Sequence, residues 1–313
     1  MHWAQMQEAG SLAGMRFLLR VYHVCGRWPF RFLLFFVLLW FYMRRHVARE
    51  ASRDYLQRLY AFSGGTTPLP SSRNIFRHFL AFSEILLDKL LAVGAPDLSV
   101  GYRVDGFEYV GPLLEQKRGA ILVTAHLGNI ELCRKLAGYR PGMRLTVLGH
   151  SKNAARFTRL MKELDPNYDV DLIQVTDISV DTAIALAQRV SAGGFVVVTG
   201  DRIPIDDITI TVRVPFLGSE ANFPISPYVL AATLQCPLLA VFGTRHRGEL
   251  VITVRPLAES ISLPRRAREA AVMPYATIFA ELLEAECLRH PFQWFNFYPF
   301  WASPTPAEIK ETC

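Results

Sequence analysis

From residue 101 onward, short apolar runs alternate with stretches of helical spacing. The runs are "GAILVTA" (119–125), "RLTVLG" (144–149), "VDLIQV" (170–175), "GFVVVTGD" (194–201), "PLLAVFGTR" (237–245) and "ELVITVRP" (249–256). Helical spacing lies between them, from about Asn129, around "AARFTRLMKEL", in "SVDTAIALAQRVSAG", and in "SPYVLAATLQ". Such alternation predicts an α/β domain with a mixed, largely parallel central sheet and helices on both faces. Runs such as "FVVVT" have no polar alternation, as expected of strands covered on both sides. A long helix is predicted from about Arg265 to His290, and an amphipathic one over 75–92. The stretch "SGGTTPLPSSRN" (63–74) reads as a loop.

The first sixty residues follow a different pattern. Twelve consecutive apolar residues, Phe32 to Met43, lie between Arg31 and Arg44-Arg45. A bilayer span needs about 20, and no small-residue cleavage site follows, as a signal peptide would require. The run suits an interfacial or partly inserted helix, with Trp28, Trp40 and Tyr42 at the boundary and arginines reaching headgroups. A buried core helix and a single short span are the competing readings. Joined to "MRFLLRVYHVCG" across a corner at Trp28-Pro29, it would form a hydrophobic helical hairpin. The chain thus divides into membrane-binding helices over 1–62 and an α/β domain over 63–313.

Charge sharpens this division. The 313 residues carry a net +6, are 51% hydrophobic and 20% charged, and have a mean hydropathy of +0.19. Between Met15 and Tyr60 there are nine arginines against Glu50 and Asp54, so this apolar segment accounts for the whole positive balance. It suits anionic lipid or an acidic partner better than nucleic acid, which would need the charge on a soluble patch. Five scattered cysteines without a C-x-x-C pair point to a reducing compartment and to no disulfide framework or zinc site.

The candidate chemistry lies in "TAHLGNIEL" (124–132). His126 ends a predicted strand and Glu131 begins a predicted helix. In one regular helix, positions five apart diverge by about 140°. Across a strand–turn–helix corner that Gly128 permits, the two side chains could converge. Glu131 would then fix the His126 tautomer and leave the other nitrogen as a base. There is no G-x-S-x-G nucleophile, so the substrate's own hydroxyl would attack. Taken alone, the pattern is loose enough to describe a His that merely caps a turn.

The block from His126 to Glu131 resembles the H-x-x-x-x-[DE] motif of glycerolipid acyltransferases, most closely the "HFGNWE" version of the late acyltransferases of lipid A biosynthesis. Other features follow in the family's order. Asn153, Phe157 and Arg159 lie where that family has a basic second block. "VTGDRIPI" (198–205) stands where it has a strand and an Asp-Gln pair. "VPFLGSEANFPISPYVLAATLQCPLLAVFGTR" (214–245) and "HPFQWFNFYPFW" (290–301) resemble its later segments. Arg202 replaces a Gln, Leu217 replaces a Phe, and the first apolar run is short. The N-terminal stretch looks closer to a branch that accompanies aryl-polyene-type lipid pathways.

The resemblance implies a membrane-associated enzyme at the cytoplasmic face of a bacterial inner membrane. It would move a fatty acyl group from an acyl-carrier-protein or coenzyme A thioester to a hydroxyl of a glycolipid or lysolipid, with no metal or bound cofactor. His126 would be the general base and Glu131 its orienting partner. Asn129 belongs to the same block. Arg159 would hold a phosphate, with Lys152 and Arg156 as competitors. Asp201 and Arg202 sit at the carboxyl end of a strand, where α/β sheets place ligands. Phe216 and Gly218 would shape a groove, although Phe216 also reads as core. Arg245 would meet an anionic headgroup or face water. The competing class is a non-catalytic lipid-binding protein on the same fold.

Overall fold

The computed structural model describes residues 11–94, 101–130, 142–149, 155–164, 172–174, 180–203, 211–264 and 268–301. In order, the elements are α1 (Leu12–Cys25), α2 (Arg27–Arg44), α3 (His46–Phe62), α4 (Ser72–Gly94), β1 (Tyr102–Asp105), α5 (Phe107–Glu115), β2 (Ala120–Thr124), β3 (Leu145–Gly149), α6 (Ala155–Leu164), β4 (Leu172–Gln174), α7 (Val180–Ser191), β5 (Phe195–Thr199), β6 (Thr211–Phe216), β7 (Ser219–Pro224), α8 (Ser226–Leu234), β8 (Leu238–His246), β9 (Glu249–Ala258) and α9 (Arg268–Arg289). Among the described residues, seven strands form one sheet in the order β1-β9-β8-β2-β5-β3-β4. Every pairing in it is parallel except the β8–β9 hairpin.

The central strands are apolar on both sides because both sides are covered. In β2, Ile121 and Val123 face a core built with α3, α7, α8 and α9. Ala120 and Leu122 face a second core closed by Val110 and Leu113 of α5. The same split holds in β5, with Val196 and Val198 on one face and Phe195 and Val197 on the other. The pattern predicted neither β1 nor α5. β6 and β7 form a separate antiparallel hairpin, turned by Leu217 (φ +49°) and Gly218 (φ +75°). Both central residues are left-handed, as a two-residue hairpin turn with the strands' own twist requires. The Leu217 N–H donates to Glu284 of α9, 2.5 Å away, which ties the strained turn to a buried helix.

The N-terminal helices do turn back on one another, but the corner is Gly26 (φ +82°), not Trp28-Pro29. Pro29 lies in the first turn of α2, where a missing N–H costs nothing. One side of α2 (Phe30, Leu34 and Leu38) packs with Leu87 of α4. The other side leaves Trp28, Phe32, Phe36, Trp40 and Met43 exposed. No helix among the described residues is long and apolar enough to cross a membrane. α3 contributes Tyr55, Leu56 and Leu59 to the same core as the sheet.

At the seam between α3, α4 and the C-terminal segment lies His78, fully buried. Its Nε2–H donates to the Trp294 carbonyl, 2.8 Å away, so Nδ1 accepts from Ser52 Oγ at 2.9 Å. Burial pushes this imidazole down to about 4, against the opposing effect of the Trp294 hydrogen bond. The unfolded chain therefore takes up a proton near 6.5 that the fold refuses until about 4. The contribution of His78 to stability is complete above about 6.5 and is lost as pH falls toward 4, by about 3 kcal/mol at the end of that window. His78→Gln should make the urea midpoint less sensitive to pH between 7 and 4. An unchanged pH slope would show that other groups carry the acid lability.

Candidate active site

β2 and β5 are parallel neighbours in a register that pairs Thr124 with Thr199. Two residues past each, at the carboxyl ends of both strands, stand His126 and Asp201. The His126 Nδ1 lies 2.8 Å from Asp201 Oδ1, and the His126 backbone N–H donates to Oδ2 at 2.8 Å. Trp294 Nε1–H donates to the same Oδ2 at 3.0 Å. Tyr298 Oη–H reaches the Asp201 carbonyl at 3.3 Å. The Asp201 side chain is 2% exposed, whereas that of His126 keeps 31%.

Burial alone would push the Asp201 carboxyl up, but His126, through its charge when protonated and through two hydrogen bonds, together with Arg202, holds it below its ordinary value. Burial, followed by the Arg202 charge, pushes the His126 imidazole below 6.5, while Asp201 pulls the other way and Lys89 of α4 adds to the lowering. The pair therefore rests as an ionised carboxylate beside a neutral imidazole. A carboxylate only accepts, so the proton sits on Nδ1 and the lone pair on Nε2. Such a group can take a proton from a hydroxyl.

The corner carrying His126 is threaded through backbone. Gly128 has φ +63°, and its N–H donates to the Gln293 carbonyl at 2.8 Å. Asn129 N–H donates to the Gly243 carbonyl at 2.6 Å. Leu127 bridges Trp294, and Gly128 bridges Gly243. Phe295 N–H donates to the His126 carbonyl at 2.8 Å. The turn is thus wedged between the end of β8 and the C-terminal aromatic segment.

The sequence-derived candidates divide between this corner and elsewhere. His126, Asn129, Asp201 and Arg202 come together. Asn129 is buried. Arg202 Nη2–H donates to the Phe295 carbonyl at 3.3 Å, and its guanidinium lies over the Tyr298 ring. Glu131 lies outside the described residues, as do Lys152 and Asn153. At Nδ1 the carboxylate is that of Asp201. Arg159 stands on α6, 71% exposed, with Glu163 at 3.5 Å. Arg16 of α1 bonds the same Glu163. Arg245 pairs with Asp88 of α4 at 3.0 Å, and its backbone exchanges hydrogen bonds with the Gln293 amide. Phe216 is fully buried between Trp294 and Trp301. Gly218 serves the hairpin turn. Trp294 escaped notice because, in sequence, it is one aromatic among several in "FQWFNFYPFW"; its indole N–H matters only once Asp201 is beside it.

Among the described residues, no group of three or more His, Cys, Asp or Glu side chains could hold a metal ion. A search of curated proteins finds no match. The family model described as bacterial lipid A biosynthesis acyltransferase matches residues 89–303, a span that contains β2, β5, the His126 corner and the Trp294 segment. The chain belongs to the bacterial lipid A biosynthesis acyltransferase family, enzymes that transfer acyl groups to lipid acceptors.

Proposed function

We propose that this enzyme moves a fatty acyl group from an acyl-carrier-protein or coenzyme A thioester to a hydroxyl of a membrane glycolipid or lysolipid, with His126 as general base. The observation that supports this reading best is the imidazole held at Nδ1 by a buried carboxylate, at a partly open strand end, within a chain of an acyltransferase family. The acceptor hydroxyl attacks the thioester carbonyl carbon as His126 Nε2 takes its proton. The tetrahedral intermediate collapses, the carbon–sulfur bond breaks, and the thiolate leaves with the proton returned from the imidazolium. A thioester carries its own leaving group, so the step needs no metal or bound cofactor. Glu131 completes the motif, Asn129 and Arg202 flank the reacting groups, and Arg159 and Arg245 serve anionic parts of the substrates. Phe216 and Gly218 support the acceptor groove.

The exposed aromatic side of α2 and its flanking Arg44 and Arg45 suit the interface of an anionic bilayer. In this reading residues 1–62 dock on the cytoplasmic face of the inner membrane and residues 63–313 carry the chemistry. The test uses purified protein in detergent, a host lipid extract, and labelled acyl-carrier protein or acyl-coenzyme A in parallel. Label should enter one lipid, whose mass names the acceptor. No transfer from either donor would overturn the proposal and favour a lipid-binding protein.

A further inference from the structure

Trp294 is an unusual place to spend a buried indole. It is 0% exposed and packed edge-on by Tyr55, Phe216 and Phe300 at centroid distances of 5.0, 5.3 and 5.0 Å. Phenylalanine would fill most of that volume. What phenylalanine cannot supply is the Nε1–H, which points at Asp201 Oδ2. A buried indole N–H generally finds an acceptor, but here the acceptor is the carboxylate that holds the His126 imidazole. Oδ2 receives Trp294 Nε1–H and the His126 backbone N–H, leaving Oδ1 for Nδ1. The two donors on Oδ2 fix the carboxylate's rotation and draw its charge away from the imidazole.

Trp294 is itself held from behind. Its carbonyl accepts from His78 Nε2 and from the Asn296 N–H. Its backbone bridges Leu127, the residue after His126. The indole and the imidazole are thus set in one frame, attached on both sides of Asp201.

We propose that Trp294 is a positioning residue that sets the basicity of His126 through Asp201, with His78 holding Trp294 in place. This rests on the acyl-transfer reading for its catalytic meaning, but its central measurement needs no substrate. Losing one donor leaves more charge on Asp201, which favours the imidazolium. The charged and titratable groups that face the pair among the described residues include Arg202 on the loop after β5, Lys89 of α4, Tyr298 of the C-terminal segment and the buried Cys287 of α9. None of them is altered by the substitution.

The experiment is an NMR titration of histidine-labelled, full-length protein in detergent, comparing wild type, Trp294→Phe and Phe300→Leu. In Trp294→Phe the His126 midpoint should rise by about half a unit or more. The acid limb of kcat/KM should move with it, and kcat should fall roughly tenfold at neutral pH with KM within about twofold. Phe300→Leu, which loosens the same packing but keeps the N–H, should lower Tm and leave the His126 midpoint unchanged. An unmoved midpoint in folded Trp294→Phe would overturn the proposal, and so would an equal shift in Phe300→Leu. If Trp294→Phe does not fold, the wild-type Trp294 Nε1–H resonance decides. It should shift with the same midpoint as His126, and indifference to that titration counts against the role. Absence of transfer in wild type would sink only the acyl-transfer reading.

Discussion

His126→Ala is expected to lower acyl transfer by a factor on the order of 100 or more, the usual cost of losing a general base. The far-UV spectrum and the urea midpoint should stay close to wild type, because the side chain is 31% exposed and anchored at one nitrogen. Asp201→Asn tests the other half of the pair. The amide keeps the shape but not the charge, so Nδ1 no longer has an ionised acceptor to fix its proton. A loss on the order of 100-fold is expected there too, in kcat more than in KM. Asp201→Asn should also lower stability, since three hydrogen bonds from His126 and Trp294 converge on that buried carboxylate. The pH dependence should follow from the neutral imidazole being the active form. In wild type, kcat/KM should be flat above neutrality and fall as pH drops through a midpoint below 6.5. Full activity in folded His126→Ala would move the base elsewhere in the corner, with Glu131 the first residue to substitute next.

Gly128→Ala is expected to have the largest structural effect of any methyl addition in this corner. A Cβ there would lie 1.9 Å from the Gly243 carbonyl oxygen and 2.8 Å from its carbon. These are backbone atoms of β8, which at Gly243 is held by its pairing with Ile252 of β9 and resists swinging aside. A matched control separates this contact from the backbone conformation. Gly64 has φ +62°, nearly the same as +63° at Gly128, with nothing within 4 Å of its would-be Cβ. Gly64→Ala should cost about 1 kcal/mol, the ordinary penalty for a left-handed alanine. Gly128→Ala should cost on the order of 3 kcal/mol or more, and transfer should fall with it because His126 moves. Chemical denaturation of both variants measures the difference. Equal costs would mean that the corner relaxes around the methyl group.

Much of this architecture is legible in the residue pattern, and the failures have physical causes. β2, β5 and β8 are readable because strands buried on both faces need uninterrupted apolar runs. β1 is four residues at the sheet edge, mostly exposed, so no burial constraint writes an alternation into it. β6 carries Pro215 and runs into a left-handed Leu217 just after its last residue, both of which argue against a strand when read locally. The N-terminal hairpin was anticipated from apolar length and arginine spacing. Its corner was misplaced because Pro29 is a stronger breaker in sequence than in the first turn of a helix.

The candidate site divides along the same line. His126 and Gly128 stand out within nine residues, because a base at a strand end and a glycine at a tight turn are local requirements. Asp201 was visible as a polar residue closing a strand, but its partnership with His126 was not. Arg245 reads in sequence as a cation that meets a headgroup or faces water, yet α4 brings Asp88 against it from 157 positions away. Sequence by itself determined which apolar runs become central strands, that a His and a glycine turn follow one of them, and where positive charge meets apolar surface, because these follow from neighbours along the chain. Only the tertiary structure decided that β2 lies beside β5 with Thr124 opposite Thr199. That register, set by how two apolar runs bury their faces together, carries His126 to Asp201, and the C-terminal segment brings Trp294 to the same carboxylate.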